Sequence, residues 1–523
     1  RDGHQQPGLA FTLEERIYIA QMLRDVGVDI IEAGFPANAY DMEPVHMIAQ
    51  QIRGPKISAL ARVVRADIDA AYQSLKPAVD RGDGMMHIFI GTSDMLLENS
   101  VRKSQGEVAD IVGRMVSYAA ERFEDVQFSP EDATRTPIEY LDSIIATAIQ
   151  AGATRINIPD TVGYTLPMEF NGLLQHIIEA HPSIQSGQTI LSVHCHNDLD
   201  GAVMNTLTGI DAGATQFEGT INGLGERAGN TDLFSVIMGL RTREDLYRKL
   251  VSPSGTSHID STQFTRIAAE VDRIAEMPTY DNRPITGTNA FRDSSGIHAN
   301  AVMRNPGAYH IMDAEDVGAQ VQIVIGPTSG TNIVQDLLTK NGYEEVSSDR
   351  VQELTEGLKG YSIEIKDALT ETEALVYIRR EMGDAEQKDP ITLGAWDVST
   401  GNEKPYANVE LYVYDQHKKV SAEGVGPIDA ATAAILDALN GDMKDKIKLL
   451  KFEEVPTSSG SDAQAHARIA LEYQGKTYWG RAREPDIVKA GVNAVVEALN
   501  AIYILNNQTI GSIQTGYSAP EKT

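Results

Sequence analysis

The chain has 523 residues, more than a single hydrophobic core supports, so about two to four domains are expected. Its 42% hydrophobic and 23% charged residues are ordinary for a folded globular protein, but 74 acidic against 45 basic side chains give a net charge of −29. A field of that sign disfavours nucleic acid and anionic membrane as partners, and it leaves any anionic ligand to a local cluster of donors.

Cys195 is the one cysteine, so no intrachain disulfide can form. A reducing, cytoplasmic setting is expected. The sequence starts at Arg1 without an initiator Met, so a preceding segment is expected and organellar import stays open. No apolar run is expected to reach the ~20 residues of a membrane span.

From the N-terminus, amphipathic helical stretches alternate with short apolar strands. Thr12-Leu13-Glu14-Glu15 and Thr136-Pro137-Ile138-Glu139 read as capping-box helix starts. Gly27, Gly152 and Gly213 each end a helix just before a strand. Strands are expected near 28–33, 56–62, 85–91, 125–129, 154–159, 189–194 and 215–220. The helix between each pair implies parallel strands. With one more strand upstream of Arg1, eight such units make an α/β TIM (β/α)8 barrel over 1–277; an open doubly wound sheet is the alternative. Polar residues gather toward the strand ends: Arg1 and Asp2, Glu32, Arg62, His87 and Ser93, Ser129 and Glu131, Asp160 and Thr161, His194 and His196, and Asn222. In a barrel these converge on the C-terminal mouth, where active sites lie.

A helix is expected over 256–277. Linker subdomains follow over 278–390, with helices near 331–341 and 348–380. The remainder, 391–523, contains two similar halves in which a strand pair runs into a Pro-led helix, at Pro427 and at Pro485. This reads as a pseudo-twofold α+β domain for dimer contact or effector binding. The tail 507–523 has few large apolar residues and is expected to trail off.

Three constellations carry chemistry. In His194-Cys195-His196 the two imidazoles share one strand face and can meet a metal, although a lone His-x-His is commonly structural. Asp2 could add a carboxylate oxygen, and Arg1 beside it could face an oxyanion or form an ordinary ion pair. The loop Gly223–Asn230 is either a turn or a backbone approach to a phosphate-bearing ligand at a helix N-terminus. Glu131 is either an acid–base group or an exposed carboxylate at a helix start.

Six segments together resemble the 2-isopropylmalate synthase family, which includes the homocitrate synthases. They are Arg1-Asp2-Gly3-His4-Gln5-Gln6-Pro7-Gly8, Glu32-Ala33-Gly34-Phe35-Pro36, Phe128-Ser129-Pro130-Glu131-Asp132-Ala133, Ile156 through Tyr164, His194-Cys195-His196-Asn197-Asp198, and Gly225-Glu226-Arg227-Ala228-Gly229-Asn230. In the duplicated region, Gly426-Pro427-Ile428-Asp429-Ala430 and Asp486-Ile487-Val488 resemble the family's regulatory domain.

The resemblance implies a metal-dependent Claisen condensation of acetyl-CoA with a 2-oxo acid, followed by hydrolysis that releases CoA. It implies a divalent metal, Zn, Mn or Mg, at Asp2, His194, His196 and Asn230. His87, Ser129, Asn157 and Thr161 would line the acceptor pocket with Arg1, and Gly225, Glu226 and Arg227 would meet acetyl-CoA. Glu131 and His298 would be the acid–base groups, His298 reaching in from the partner subunit of a homodimer. Leucine is the implied effector of the C-terminal domain. The thioester α-proton is weakly acidic, so a positioned base and a stabilised enolate are required.

Departures from the family pattern stand at His4, Gly91, Asp293, Ala299-Asn300-Ala301 and Gly326-Pro327-Thr328-Ser329-Gly330-Thr331. Gly91, in place of a common Ala, could admit a bulkier acceptor. 2-Oxoisovalerate ranks first on the Pro159-to-Tyr164 and Leu60-Ala61-Arg62 segments; pyruvate, 2-oxoglutarate and phenylpyruvate are the alternatives. The rival classes are a biotin-dependent carboxyltransferase, which needs a mid-barrel Lys absent from 155–164, a hydroxymethylglutaryl-CoA lyase, which normally lacks the duplicated region, and a catalytically dead effector-binding dimer.

Overall fold

In the computed structural model the described residues are 1–247, 258–383, 388–401, 404–414, 416–439, 446–456 and 465–506. The tail 507–523 and the expected helix start at 256–257 lie outside them. Two compact units form: Arg1–Phe291 with Ile311–Gln320, and Arg292–His310 with the chain from Val321 onward.

Among its described residues the first unit holds seven strands: β1 (Ile30–Gly34), β2 (Lys56–Arg62), β3 (Gly84–Gly91), β4 (Asp125–Glu131), β5 (Arg155–Asp160), β6 (Ile190–Cys195) and β7 (Gln216–Phe217). They are hydrogen-bonded in sequence order, every pair parallel. This is the TIM-barrel fold: each strand is followed by a crossover helix, so chain neighbours become sheet neighbours. Among the described residues β1 and β7 do not pair with each other, and a cavity of about 930 Å3 reaches from between them to the barrel mouth.

Alternation along the strands separates two environments. Met86, Ile88, Ile90, Val126, Phe128, Ile156, Ile158, Leu191, Val193 and Cys195 belong to the apolar core shared with the helices. The intervening residues are His87, Gln127, Ser129, Arg155, Asn157, Ser192 and His194. Helix Ile138–Gln150 shows how the outer layer is held: Tyr140, Leu141, Ile144, Ile145 and Ala148 form one buried stripe.

The Thr12 capping box is present, with Glu15 as its partner, and Gly27, Gly152 and Gly213 all take positive φ. The second expected box is absent. Pro137 is the cap of its helix, and Thr136 Oγ1 donates instead to the Asp132 carbonyl at 2.9 Å. The helix expected over 256–277 is shorter, Phe264–Ile274, because Asp260 first caps a 3-10 turn over Ser261–Gln263.

The second unit opens with a two-residue pair, β8 (Arg292–Asp293) and β9 (Gln322–Ile323), and helices Gly296–Arg304 and Thr331–Lys340. The single helix expected over 348–380 is two. Lys366 takes a left-handed conformation that ends Ser348–Ile365, and a Thr370 capping box starts Glu371–Glu381.

Two β-β-β-α repeats follow. β10 (Ile391–Ser399), β11 (Tyr406–Val413) and β12 (Gln416–Glu423) lead into helix Pro427–Ala438. β13 (Ile447–Pro456), β14 (Ala465–Tyr473) and β15 (Lys476–Glu484) lead into Ile487–Leu505. Each repeat therefore has three antiparallel strands rather than a pair. Pro427 opens its helix, whereas the second helix is capped by Asp486, one residue after Pro485. Helix Ile487–Leu505 is long and apolar enough to cross a membrane by length and composition, contrary to the sequence expectation. Most of it is buried, with Val492, Val495, Leu499 and Ile502 in the core of the two repeats.

Candidate active site at the barrel mouth

Asp2 opens a short 3-10 turn, His194 lies near the end of β6, and His196 follows directly after it. Their ligand atoms all lie within 4.8 Å of one another, and all three residues are buried. Asp2 Oδ2 is 3.2 Å from His194 Nε2, which is 3.3 Å from His196 Nε2. Two ring nitrogens and a carboxylate oxygen aimed at one point are a donor set for a cation; ligand bonds of ~2.0–2.2 Å span such gaps.

Asn230 joins them through backbone pairing: it bridges to His196, and Asn197 N–H donates to the Gly229 carbonyl at 3.0 Å. Its Nδ2 donates to the Leu224 carbonyl at 3.0 Å, while its buried Oδ1 has no partner. An orphaned buried carbonyl oxygen beside an Asp-His-His cluster fits a fourth ligand.

Charge is arranged to match. Burial and the His194 charge push His196 down to about 4, so it presents a free lone pair at neutral pH. Burial opposes the charge on Asp2, but Arg1, His194 and His196 outweigh it and hold the carboxyl below its ordinary range. Burial also works to lower His194, yet Glu218 and Asp2 hold it above its usual value.

The residues expected to line an acceptor pocket form one hydrogen-bonded chain. Arg1 Nε donates to Glu32 Oε2 at 2.7 Å, and its NH1 donates to Asp2 Oδ1 at 2.9 Å. Glu32 Oε1 lies 2.5 Å from His87 Nδ1, and His87 Nε2 lies 2.7 Å from Ser129 Oγ. A carboxylate only accepts, so His87 Nδ1 donates to Glu32 and Nε2 is left facing the Ser129 hydroxyl. Asn157 Nδ2 donates to Ser129 Oγ at 2.9 Å, which leaves Asn157 Oδ1 buried without a partner. His87 sits within β3 rather than beyond its end. Thr161 Oγ1 accepts from Asp132 N–H at 2.9 Å, and its own O–H remains to donate.

Glu131 ends β4, half-buried and within the electrostatic reach of Arg1 and Glu226. Burial, then neighbouring Asp132, raise its carboxyl above the ordinary range. His298 belongs to the second unit, exposed on helix Gly296–Arg304 with its ring 4.2 Å from that of Tyr309.

The Gly-rich loop differs from expectation. It does not sit at a helix N-terminus. The next helix starts only at Leu233, and Asp232 caps it by accepting from Ser235 N–H. Arg227 is paired with Asp198 at 2.8 and 2.9 Å and donates to the Thr161 carbonyl, so it braces the loop. Glu226 is exposed. Gly225 is required by packing: a Cβ there would lie 2.1 Å from Asn230 Nδ2.

Gly91 does not enlarge the pocket. A Cβ at that position would lie 2.8 Å from Leu96 Cβ, so Leu96 already fills the space an Ala methyl would take. Asp293 receives His310 Nε2 at 2.8 Å, Ala299 is buried in the second unit's core, and Ser329 bonds Gly326 N–H and the Ser294 carbonyl. These departures are thus absorbed by local pairing.

Sequence reasoning missed Glu218 as a site residue. Its Oε2 lies 3.0 Å from His194 Nδ1. The available signal was an acidic side chain directly after Gln216-Phe217 in a barrel strand.

Residues 1–271 match the HMGL-like family, 285–365 the homocitrate synthase post-HMGL domain-like family, and 368–503 the LeuA allosteric (dimerisation) domain. The 2-isopropylmalate synthase of Aquifex aeolicus (strain VF5) is 39% identical over 520 residues, covering 98% of this chain and 96% of its own length. That of Nitrobacter winogradskyi is 38% identical, covering 98% and 95%. That of Synechococcus sp. (strain CC9605) is 40% identical, covering 96% and 93%.

Proposed function

Because the chain belongs to the 2-isopropylmalate synthase family, we propose that it condenses the acetyl group of acetyl-CoA with 2-oxoisovalerate, giving 2-isopropylmalate and CoA for leucine biosynthesis. It is an acyltransferase. The observation that carries the reading is the convergence of Asp2, His194 and His196 on one point, with the unpartnered Asn230 Oδ1 beside them. A divalent cation held there would supply Lewis-acid polarisation of the acceptor's keto group.

The protein's own groups do the rest. Arg1, locked by Glu32 and Asp2, holds a fixed positive charge where negative charge develops on the acceptor oxygen. Ser129 and Asn157, ordered by His87, orient the acceptor. The carboxyl of Glu131, raised by burial, suits a group that takes and returns a proton, here at the acetyl methyl. His298 serves as the second acid–base group, from the partner subunit of a homodimer, and residues 368–503 form that dimer and respond to leucine. The Gly225-to-Arg227 segment contacts acetyl-CoA through its backbone and through Glu226, since Arg227 is committed to Asp198. β5 carries Asn157 and Pro159 and no Lys, which disfavours biotin-dependent carboxyl transfer.

The test is release of free CoA thiol from acetyl-CoA with 2-oxoisovalerate, pyruvate, 2-oxoglutarate and phenylpyruvate in parallel, with and without leucine. The fastest release is expected with 2-oxoisovalerate, lost on chelation and slowed by leucine. Preference for another acid overturns the acceptor, and no release with any acid overturns condensation itself.

A further inference from the structure

Beneath the mouth, the barrel interior is polar where such barrels ordinarily stack branched apolar side chains. Gln127 and Ser192 are fully buried there. Arg155 NH1 donates to Gln216 Oε1 at 2.7 Å, and Gln216 Nε2 donates to Gln127 Oε1 at 2.6 Å and to Ser192 Oγ at 3.1 Å. Gln127 Nε2 donates to Glu218 Oε1 at 2.6 Å, and Glu218 Oε2 lies 3.0 Å from His194 Nδ1. Strand register builds the run: Gln127 stands opposite Arg155, and Ser192 opposite Gln216.

The run has one possible direction. It starts at a guanidinium, which only donates, and ends at a carboxylate, which only accepts. Each amide between them must turn its oxygen toward Arg155 and its NH2 toward Glu218, so neither can flip. Arg155 is itself anchored, with NH2 3.3 Å from Asp125 Oδ1.

We propose that this run, from Arg155 through Gln216 and Gln127 to Glu218, is the positioning device that fixes His194 as a cation ligand. The inference rests on the cation site proposed above. The competing arrangement is specific. Asp2 Oδ2, 3.2 Å from His194 Nε2, is itself an acceptor and would draw the ring proton to Nε2. A proton there occupies the lone pair the cation needs. Glu218, held by Gln127, sets a carboxylate 3.0 Å from Nδ1, whose charge favours the proton on that nitrogen and leaves Nε2 toward Asp2 and His196. Glu218 and Gln127 are positioning residues; neither touches the proposed substrates.

The test uses the full-length protein stripped of metal. Mn2+ binding is followed by the EPR signal of the free ion, and Zn2+ binding by competition with a chromophoric chelator. Glu218→Gln and Gln127→Met are each expected to weaken binding roughly 10–100-fold. Glu218→Asp should recover part of the loss, and the far-UV circular dichroism of the metal-free variants should be unchanged. Gln127→Met leaves every proposed ligand and Glu218 in place, so it carries the test if Glu218→Gln does not fold. Wild-type binding with both variants within threefold of it overturns the inference alone. A wild type that binds neither ion overturns the cation site itself. Failure of both variants to fold makes the run a stability element and overturns the assignment.

Discussion

Replacing Glu497 by Gln is expected to stabilise the second unit at alkaline pH and to change nothing in acid. Glu497 lies on helix Ile487–Leu505, where its Oε2 accepts Arg481 N–H at 2.6 Å and its Oε1 faces the Tyr361 hydroxyl at 3.5 Å. Burial pushes its carboxyl from about 4.5 up to about 7; the Arg481 N–H works against this and Glu373 adds to it. Each tenfold change in proton affinity is worth about 1.4 kcal/mol, so keeping this carboxylate charged in the folded state costs on the order of 3 kcal/mol. The folded value lies above the unfolded one. Stability from the bound proton is therefore complete below the unfolded value near 4.5, falls as pH rises, and is lost above about 7. A Gln offers its oxygen to Arg481 N–H and its NH2 to Tyr361, keeps the same shape and never charges.

Both tryptophans, Trp396 on β10 and Trp479 on β15, are in the second unit, so their fluorescence in urea reports its unfolding. The E497Q and wild-type midpoints should coincide near pH 4.5. They should part steadily above it, reaching about 1 M or more by pH 8 for a urea slope of roughly 1–3 kcal/mol per M. Equal midpoints at pH 8 would refute the reasoning. So would an E497Q protein weakened across the whole range, which would mean that Arg481, paired with Glu373 at 2.6 Å and Asp367 at 2.7 Å, also stabilises a charged Glu497.

Gly225→Ala places a methyl carbon 2.1 Å from Asn230 Nδ2 and should displace that side chain, lowering cation affinity at least tenfold by chelator competition; unchanged affinity counts against Asn230 as a ligand. Glu131→Gln should slow turnover roughly 10²–10⁴-fold while leaving cation binding intact, with exchange of the acetyl-CoA methyl protons into D2O lost in parallel by NMR. In the wild type, the acid limb of kcat/KM should fall above the ordinary Glu value of 4.5, because burial raises Glu131. Gly91→Ala should cost about 1–3 kcal/mol in thermal unfolding by overpacking against Leu96, whose Cβ would stand 2.8 Å from the new methyl; an unchanged melting temperature would refute it.

The strand positions, their parallel order and the His-x-His ligand pair were legible in the sequence, because each depends on a period of two or on spacing along one segment. Asn230 was placed beside His194 only through family resemblance, and Asp2 through the convergence of strand ends that a barrel implies. Nothing local links residue 2 to residue 194; the parallel sheet does. The duplicated C-terminal halves were legible as similar segments, but their third strands were not. The break at Lys366 was hidden because Ser348 to Glu381 reads as continuous helix former until one residue turns left-handed.

By itself, then, the sequence determined which stretches become strands and helices, and which side of each strand is polar, since side-chain alternation is written residue by residue. Only the tertiary structure decided what those polar residues do to one another. Glu218 meets His194 through β6–β7 pairing, Gln127 meets Gln216 across the barrel, Leu96 covers Gly91, and Arg227 is spent on Asp198. Apart from Leu96 on Gly91, these pairings join residues tens of positions apart, and their hydrogen-bond direction follows from obligate donors and acceptors brought face to face by the parallel packing of the strands.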